Sequence, residues 1–202
     1  MIYHRRSFLL GLGSLPFASY AQADVDAPAT KLINTARAQI GITTGYDGAY
    51  RSLAYPNGDV ARATGVCTDV IIRAYRDAFD FDLQSAVHQD MRTNFSDYPK
   101  IWGLSRPDRN IDHRRVPNLE MFLKRKGARL AMPDDIRKLT AGDLLTFRLP
   151  RNLPHIAIIS DRATPQGPPK VIHNIGQGAQ EDLLNADLQA LMRSRYRFLQ
   201  GL

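Results

Sequence analysis

Cysteine is nearly absent from this chain: Cys67 is the only one in 202 residues. One thiol rules out an internal disulfide, so a hydrophobic core must hold the fold. Tryptophan also occurs once. The sequence has no internal repeat and no low-complexity linker, which favours one domain over residues 24–202. No His-Glu-x-x-His, His-x-His or Cys-x-x-Cys spacing is present, so the common zinc signatures are missing. The longest apolar stretch, Phe8 to Phe17, is broken by Pro16 and too short to span a bilayer, which argues against stable membrane insertion.

What stands at the start is the pattern of an export signal. His4-Arg5-Arg6 gives a charged beginning, an apolar stretch follows, and Ala21-Gln22-Ala23 is a small-x-small cleavage site, so residues 1–23 read as a signal peptide. Arg5-Arg6-Ser7-Phe8-Leu9-Leu10 also resembles the twin-arginine signal. The mature chain is then expected in the periplasm or outside the cell. Cleavage removes Arg5 and Arg6 and no acidic residue, lowering the net charge from +7 to +5. That excess suits an acidic polymer such as cell-wall glycopeptide. The aromatic-interleaved basic patch of an RNA reader is missing, so nucleic acid has only the charge in its favour.

Periodicity divides the chain in two. Leu32, Ile33, Ala36 and Ile40 share a helical face over Thr30 to Ile40, with Gly41 as the stop. Gly41 to Gly65 reads as an irregular loop. Cys67, Val70, Ile71, Ala74 and Ala78 then recur at helical spacing, and a short helix covers Leu83 to Met91. Tyr98 to Arg115 reads as a charged loop, and Pro117 opens a helix closed by Gly127. After this the period changes to that of strands at Asp143 to Arg148, Pro154 to Ser160 and Lys170 to Ile175. A helix through Leu184 to Met192 and a final edge strand at Tyr196 to Leu199 complete the reading. Helices first and an antiparallel sheet afterwards make the class α+β.

The single thiol opens its helix, where the positive end of the macrodipole favours thiolate. His155 and His173 each lie on a strand. If these strands pair antiparallel, a register that opposes the two histidines, or one shifted by two residues, puts both rings on one face. An imidazole beside a thiol can take its proton, provided a second polar group aims the ring. Cys67, His155 and His173 are therefore the candidate nucleophile, base and aiming group. Each has a bland alternative. Cys67 falls on the apolar stripe of its helix, and His88 and His113 sit beside Asp90 and Asp112 as ordinary surface or capping pairs do.

In these residues the chain resembles the NlpC-type cell-wall cysteine peptidases of the papain-like superfamily. The matching phrases are Cys67-Thr68-Asp69, Gly142-Asp143-Leu144, His155-Ile156-Ala157-Ile158 and Val171-Ile172-His173-Asn174. The chain departs from that pattern at Val66 and Thr68-Asp69, and in a long stretch from Leu83 to Arg115. The resemblance implies a papain-like fold, with N-terminal helices packed on a small antiparallel sheet. It implies hydrolysis of an amide in peptidoglycan, as a stem-peptide endopeptidase or amidase, with no metal and no cofactor. It also implies Tyr55, or else Tyr50, at the oxyanion site, with Asp69 and Asn174 on the substrate side. Arg92, Arg106, Arg109, Arg114 and Arg115 become candidates for binding substrate carboxylates. Two rivals stand beside this: a wall-binding module on the same frame, and a zinc hydrolase drawing on Cys67 and the histidines.

Overall fold

The structure, a computed structural model, describes residues 26–165 and 167–199. The expected signal peptide at residues 1–23 lies outside them. Chain order is α1 (Ala27–Arg37), β1 (Gly45–Tyr46), β2 (Thr64–Gly65), α2 (Cys67–Phe79), α3 (Leu83–Asn94), α4 (Val116–Arg125), β3 (Arg129–Leu130), β4 (Leu144–Leu149), β5 (Leu153–Ala163), β6 (Pro169–Asn174), β7 (Ala179–Leu183), α5 (Ala186–Ala190) and β8 (Met192–Tyr196). Mixed helices and an antiparallel sheet agree with the α+β class.

The larger sheet runs β3-β8-β4-β5-β6-β7 and is antiparallel throughout. Side chains of a strand alternate faces, and the core divides accordingly. Leu144, Ile156, Ile158 and Ile172 meet Leu32, Ile33, Val70 and Leu119 from the helices on one face. Leu145, Phe147, Ala157, Ile159 and Val171 pack with Leu139 and Leu184 on the other. Both faces are dry over β4, β5 and β6, because each of these strands offers apolar residues in both directions.

Three details differ from the sequence expectation. α1 begins at Ala27 with Pro28 in its first turn, where a missing N–H costs nothing. The last strand, β8, lies between β3 and β4 and is no edge. The expected helix from Leu184 shrinks to α5, and β7 appears where no strand was expected.

The loop before α2 is tied down by one buried side chain. Arg73 on α2 has no exposed surface. Its Nε reaches both Asp59 oxygens at 3.1 and 3.0 Å, and its terminal nitrogens reach Thr43 Oγ1 at 3.1 Å and the Thr64 carbonyl at 3.0 Å. This pins β1 beside β2 as a parallel pair with Tyr46 facing Gly65. A side chain at Gly65 would crowd this network, since a Cβ there would lie 3.0 Å from the Asp69 Cβ.

Removing one partner of such a buried network leaves carbonyls and a carboxylate uncompensated. Arg73→Met should therefore lower unfolding free energy by about 3 kcal/mol in urea titration. A loss under about 0.5 kcal/mol, the usual range for surface changes, would contradict this role.

Candidate functional site

Cys67 is the first residue of α2, after Val66 as N-cap. The carboxylate of Asp69 accepts the Val66 N–H at 2.6 Å, closing the helix start. The same carboxylate is gripped by Arg114, with Nε to Oδ1 and a terminal nitrogen to Oδ2, both at 2.9 Å. Both side chains are buried, and Arg114 also donates to the carbonyls of Asp47 and Ala49. Asp69 and Arg114 thus hold the helix start in place, and neither is free for substrate.

Two imidazoles meet at the end of the sheet. Ile158 faces Ile172 and Ile159 faces Val171, the register shifted by two residues from direct opposition of the histidines. His155 and His173 accordingly lie on a diagonal, with His155 Nε2 2.8 Å from His173 Nδ1. His173 Nε2 lies 3.1 Å from Asp182 Oδ2 on β7. Asp182 was invisible to sequence reasoning because its strand was not recognised.

This chain of contacts dictates where the protons sit. A carboxylate only accepts, so His173 Nε2 carries hydrogen and its Nδ1 is bare. Nδ1 must then accept from His155 Nε2, which leaves His155 Nδ1 bare. No hydrogen bond among the described residues engages that nitrogen. One carboxylate therefore sets two tautomers and leaves a proton acceptor at the far end.

The thiol packs with the helix-side core. The main-chain N–H groups of Ile156, Thr68 and Cys67 lie close enough to favour its anion. Ile156 directly follows His155, and side chains of a strand alternate faces: the sulfur packs with Ile156 on the helix side, whereas His155 shares its face with Ala157 and Ile159 and lies 5.7 Å from the Phe147 ring. Among the described residues no hydrogen bond joins the sulfur to either ring. Cys67 is 4 % exposed, and burial pushes its thiol up to about 12. From an ordinary value near 9.0 that is about 4 kcal/mol against the anion. A helix end supplies only about 1 kcal/mol in its favour. Burial wins, and the resting group is a neutral thiol rather than the thiolate expected from helix position alone. Burial likewise brings His155 down to about 3 and lowers His173, with Asp182 opposing the shift in His173. The imidazole pair is neutral at rest.

Three tyrosines bear on the candidate site. Tyr46 is the one close enough to Cys67 for the two to interact electrostatically; burial, then Cys67 and Asp69, raise its hydroxyl to about 12. Tyr55 instead bonds Ser85 and stacks edge-on against His88 at 5.3 Å. Tyr50 bonds Asp108 and Asn110. Asn174 is fully used by the backbone, donating to the carbonyls of Gly45 and Gly65 and accepting from Gly176 and Gly178. Arg115 pairs with Asp112 and lies 4.1 Å over the Trp102 ring. No group of three or more His, Cys, Asp or Glu side chains that could hold a metal is found among the described residues.

A cavity of about 330 Å³ opens at the helix start, lined by Gly48, Tyr50, Val66, Ile111, Arg114 and Arg115. Another, of about 420 Å³ between Ala29, Leu139 and Leu199, includes none of the candidate catalytic residues. No helix among the described residues is long and apolar enough to cross a membrane.

The profile of DUF1287, a domain of unknown function, matches residues 33–198. The uncharacterized protein YijF of Escherichia coli (strain K12) is 51% identical over 147 residues, 73% of this chain and 71% of that protein. NlpC1 from Trichomonas vaginalis aligns with a TM-score of 0.40 at 12% identity, over 90% of this chain and 48% of that one. The chain thus spans about half the length of NlpC1.

The depressed histidines make a prediction about acid. His113 and His155 are held at about 3 and His173 is lowered, all by burial. The unfolded chain binds protons at these sites below about pH 6.5, while the native chain does not. Stability is therefore complete above that pH and declines as pH falls toward 3, by up to about 1.4 kcal/mol per pH unit for each histidine. Urea midpoints should already drop between about pH 6.5 and 5, above the usual carboxylate range. Midpoints unchanged across that interval would contradict the burial of these rings.

Proposed function

This chain belongs to the DUF1287 family, and we propose that it is an exported thiol hydrolase that cuts an amide bond in peptidoglycan. Cys67 is the nucleophile, His155 the base and later the acid, and His173 the group that aims it. Asp182 is the carboxylate behind them. The reading is carried by the His155–His173 contact of 2.8 Å, whose open nitrogen belongs to the residue beside the one that meets the sulfur.

In this scheme the Cys67 S–H gives its proton to His155 Nδ1 as the sulfur attacks the amide carbon. The new positive charge on the imidazole is shared down the line to His173 and Asp182. The Tyr46 hydroxyl, protonated at neutral pH, donates to the developing oxyanion in this scheme. His155 then returns the proton to the leaving amine, and water hydrolyses the thioester. Because thiol and imidazole are both neutral at rest, ionisation accompanies substrate binding. The substrate assignment rests on the resemblance of the Cys67, Gly142 and His155 phrases to wall peptidases. It covers a stem-peptide bond, such as that between D-glutamate and the diamino acid, or the bond from muramate to L-alanine. Export rests on the pattern of residues 1–23.

One observation favours a second reading. A thiol 4 % exposed and held near 12 also suits a wall-binding module that performs no chemistry.

Mass spectrometry of muropeptides after incubation with the mature chain separates the two. The hydrolase reading expects new products from the parent and none from Cys67→Ser. It expects a loss of about 10²- to 10⁴-fold for His155→Ala. His173→Ala should lose less, and His173→Gln should recover part, since aiming needs only a hydrogen-bonding group. Retained cleavage by Cys67→Ser, or binding by the parent with no products, refutes it.

A further inference from the structure

Most of the arginines of this chain are committed. Arg62, Arg73, Arg114, Arg125, Arg148 and Arg195 each pair with a carboxylate at 3.0 Å or less. Arg92, Arg106 and Arg109 differ: among the described residues their guanidinium groups form no ion pair and no hydrogen bond. Arg109 only lies over the Tyr55 ring, at 5.5 Å.

Two of these free groups line one cavity. It holds about 550 Å³, with Arg106 and Arg109 on its wall together with Tyr50, His88 and Leu104. Asp108, also on the wall, forms no ion pair with either and offsets only one of the two charges. Its carboxylate accepts the Tyr50 hydroxyl at 3.0 Å and the Asn110 N–H at 2.9 Å. The cavity is therefore left with net positive character. His88 adds a buried Nδ1 with no partner, and Arg92 is close enough to act on that ring.

The cavity adjoins the start of the nucleophile helix. Tyr50 lines it and also lines the 330 Å³ space bounded by Val66, the residue before Cys67. Asn110 and Ile111, neighbours in the chain, likewise lie one on each side. The Tyr50 ring is held as a partition by Asp108 and by Asn110, whose Nδ2 donates to its oxygen at 2.9 Å.

We infer that the Arg106–Arg109 cavity is a carboxylate-binding subsite, taking the free carboxylates of a peptide whose amide is presented to Cys67. The inference rests on the hydrolase reading and adds to it what the stretch from Leu83 to Arg115 does. Two planar guanidinium forks match carboxylate geometry, and Leu104 and Pro107 offer apolar surface to the methylenes of the bound peptide. Such a subsite selects peptides whose carboxylates are free over amidated ones.

The test is calorimetric titration of the Cys67→Ser chain with L-alanyl-γ-D-glutamyl-meso-diaminopimelate and with the same peptide carrying amidated carboxylates. The free acid should bind about ten-fold tighter, a difference of about 1.4 kcal/mol. The joint substitution Arg106→Ala and Arg109→Ala should erase that preference. Lysine at both positions should keep part of it and increase its sensitivity to salt. Both side chains are exposed and unpaired, so these variants should retain the parent's circular dichroism and melting temperature. Equal binding of acid and amide by the parent, or a preference that survives the double alanine variant, overturns the subsite. Parent turnover of muropeptides without a charge preference removes the subsite and keeps the hydrolase. A preference without turnover does the reverse.

Discussion

The hydrogen bond between His155 and His173 depends on the register of β5 on β6. A slip of one residue would send one ring to the opposite face of the sheet. The apolar alternation on both strands opposes such a slip, since Ile158 and Ile172 fill the helix-side core while Ile159 and Val171 fill the other. The same packing that stabilises the sheet therefore fixes the diagonal of imidazoles. Asp182 on the next strand then orders the protons along it, and a carboxylate at a sheet edge determines which nitrogen stays bare.

Placement of the thiol follows from a second set of constraints. Arg73 gathers the loop before α2, β1 and β2 carry Tyr46 to the helix start, and Arg114 locks Asp69 beneath the N-cap. These bonds deliver the sulfur to the main chain of β5 but also bury it. The thiol and the imidazole are each neutral at rest. In the proposed hydrolase, reactivity waits on a substrate that brings a carbonyl to the sulfur.

Much of this was legible in the sequence because its causes are local. The apolar spacing of Val70, Ile71 and Ala74 marks α2, and short β-branched runs mark β4, β5 and β6. What escaped depends on distant partners. β7 reads Ala179-Gln180-Glu181-Asp182-Leu183, a polar edge strand without the usual propensity, so Asp182 could not be placed beside His173. Tyr55 stood at the expected distance from Cys67. The path of the loop is set by the bonds of Arg73, however, and Tyr46 is the tyrosine whose hydroxyl feels the sulfur electrostatically. Arg114 looked like one of several loop arginines until the fold buried it against Asp69. The helix dipole is visible in sequence, whereas the larger desolvation of Cys67 emerges only when the sheet closes over it.

The central claim is that His155 serves as base to a buried, neutral thiol. The rate at which Cys67 is alkylated near neutral pH, followed by intact mass, tests it most directly. Iodoacetamide and a stem peptide bearing a chloromethyl ketone are the two reagents to compare. Iodoacetamide should react slowly, as a thiol held near 12 must. The peptide reagent should form one adduct at Cys67 far faster, and His155→Ala should abolish that advantage. Rapid alkylation by iodoacetamide, no adduct from the peptide, or an equal rate in the His155→Ala chain would contradict the account.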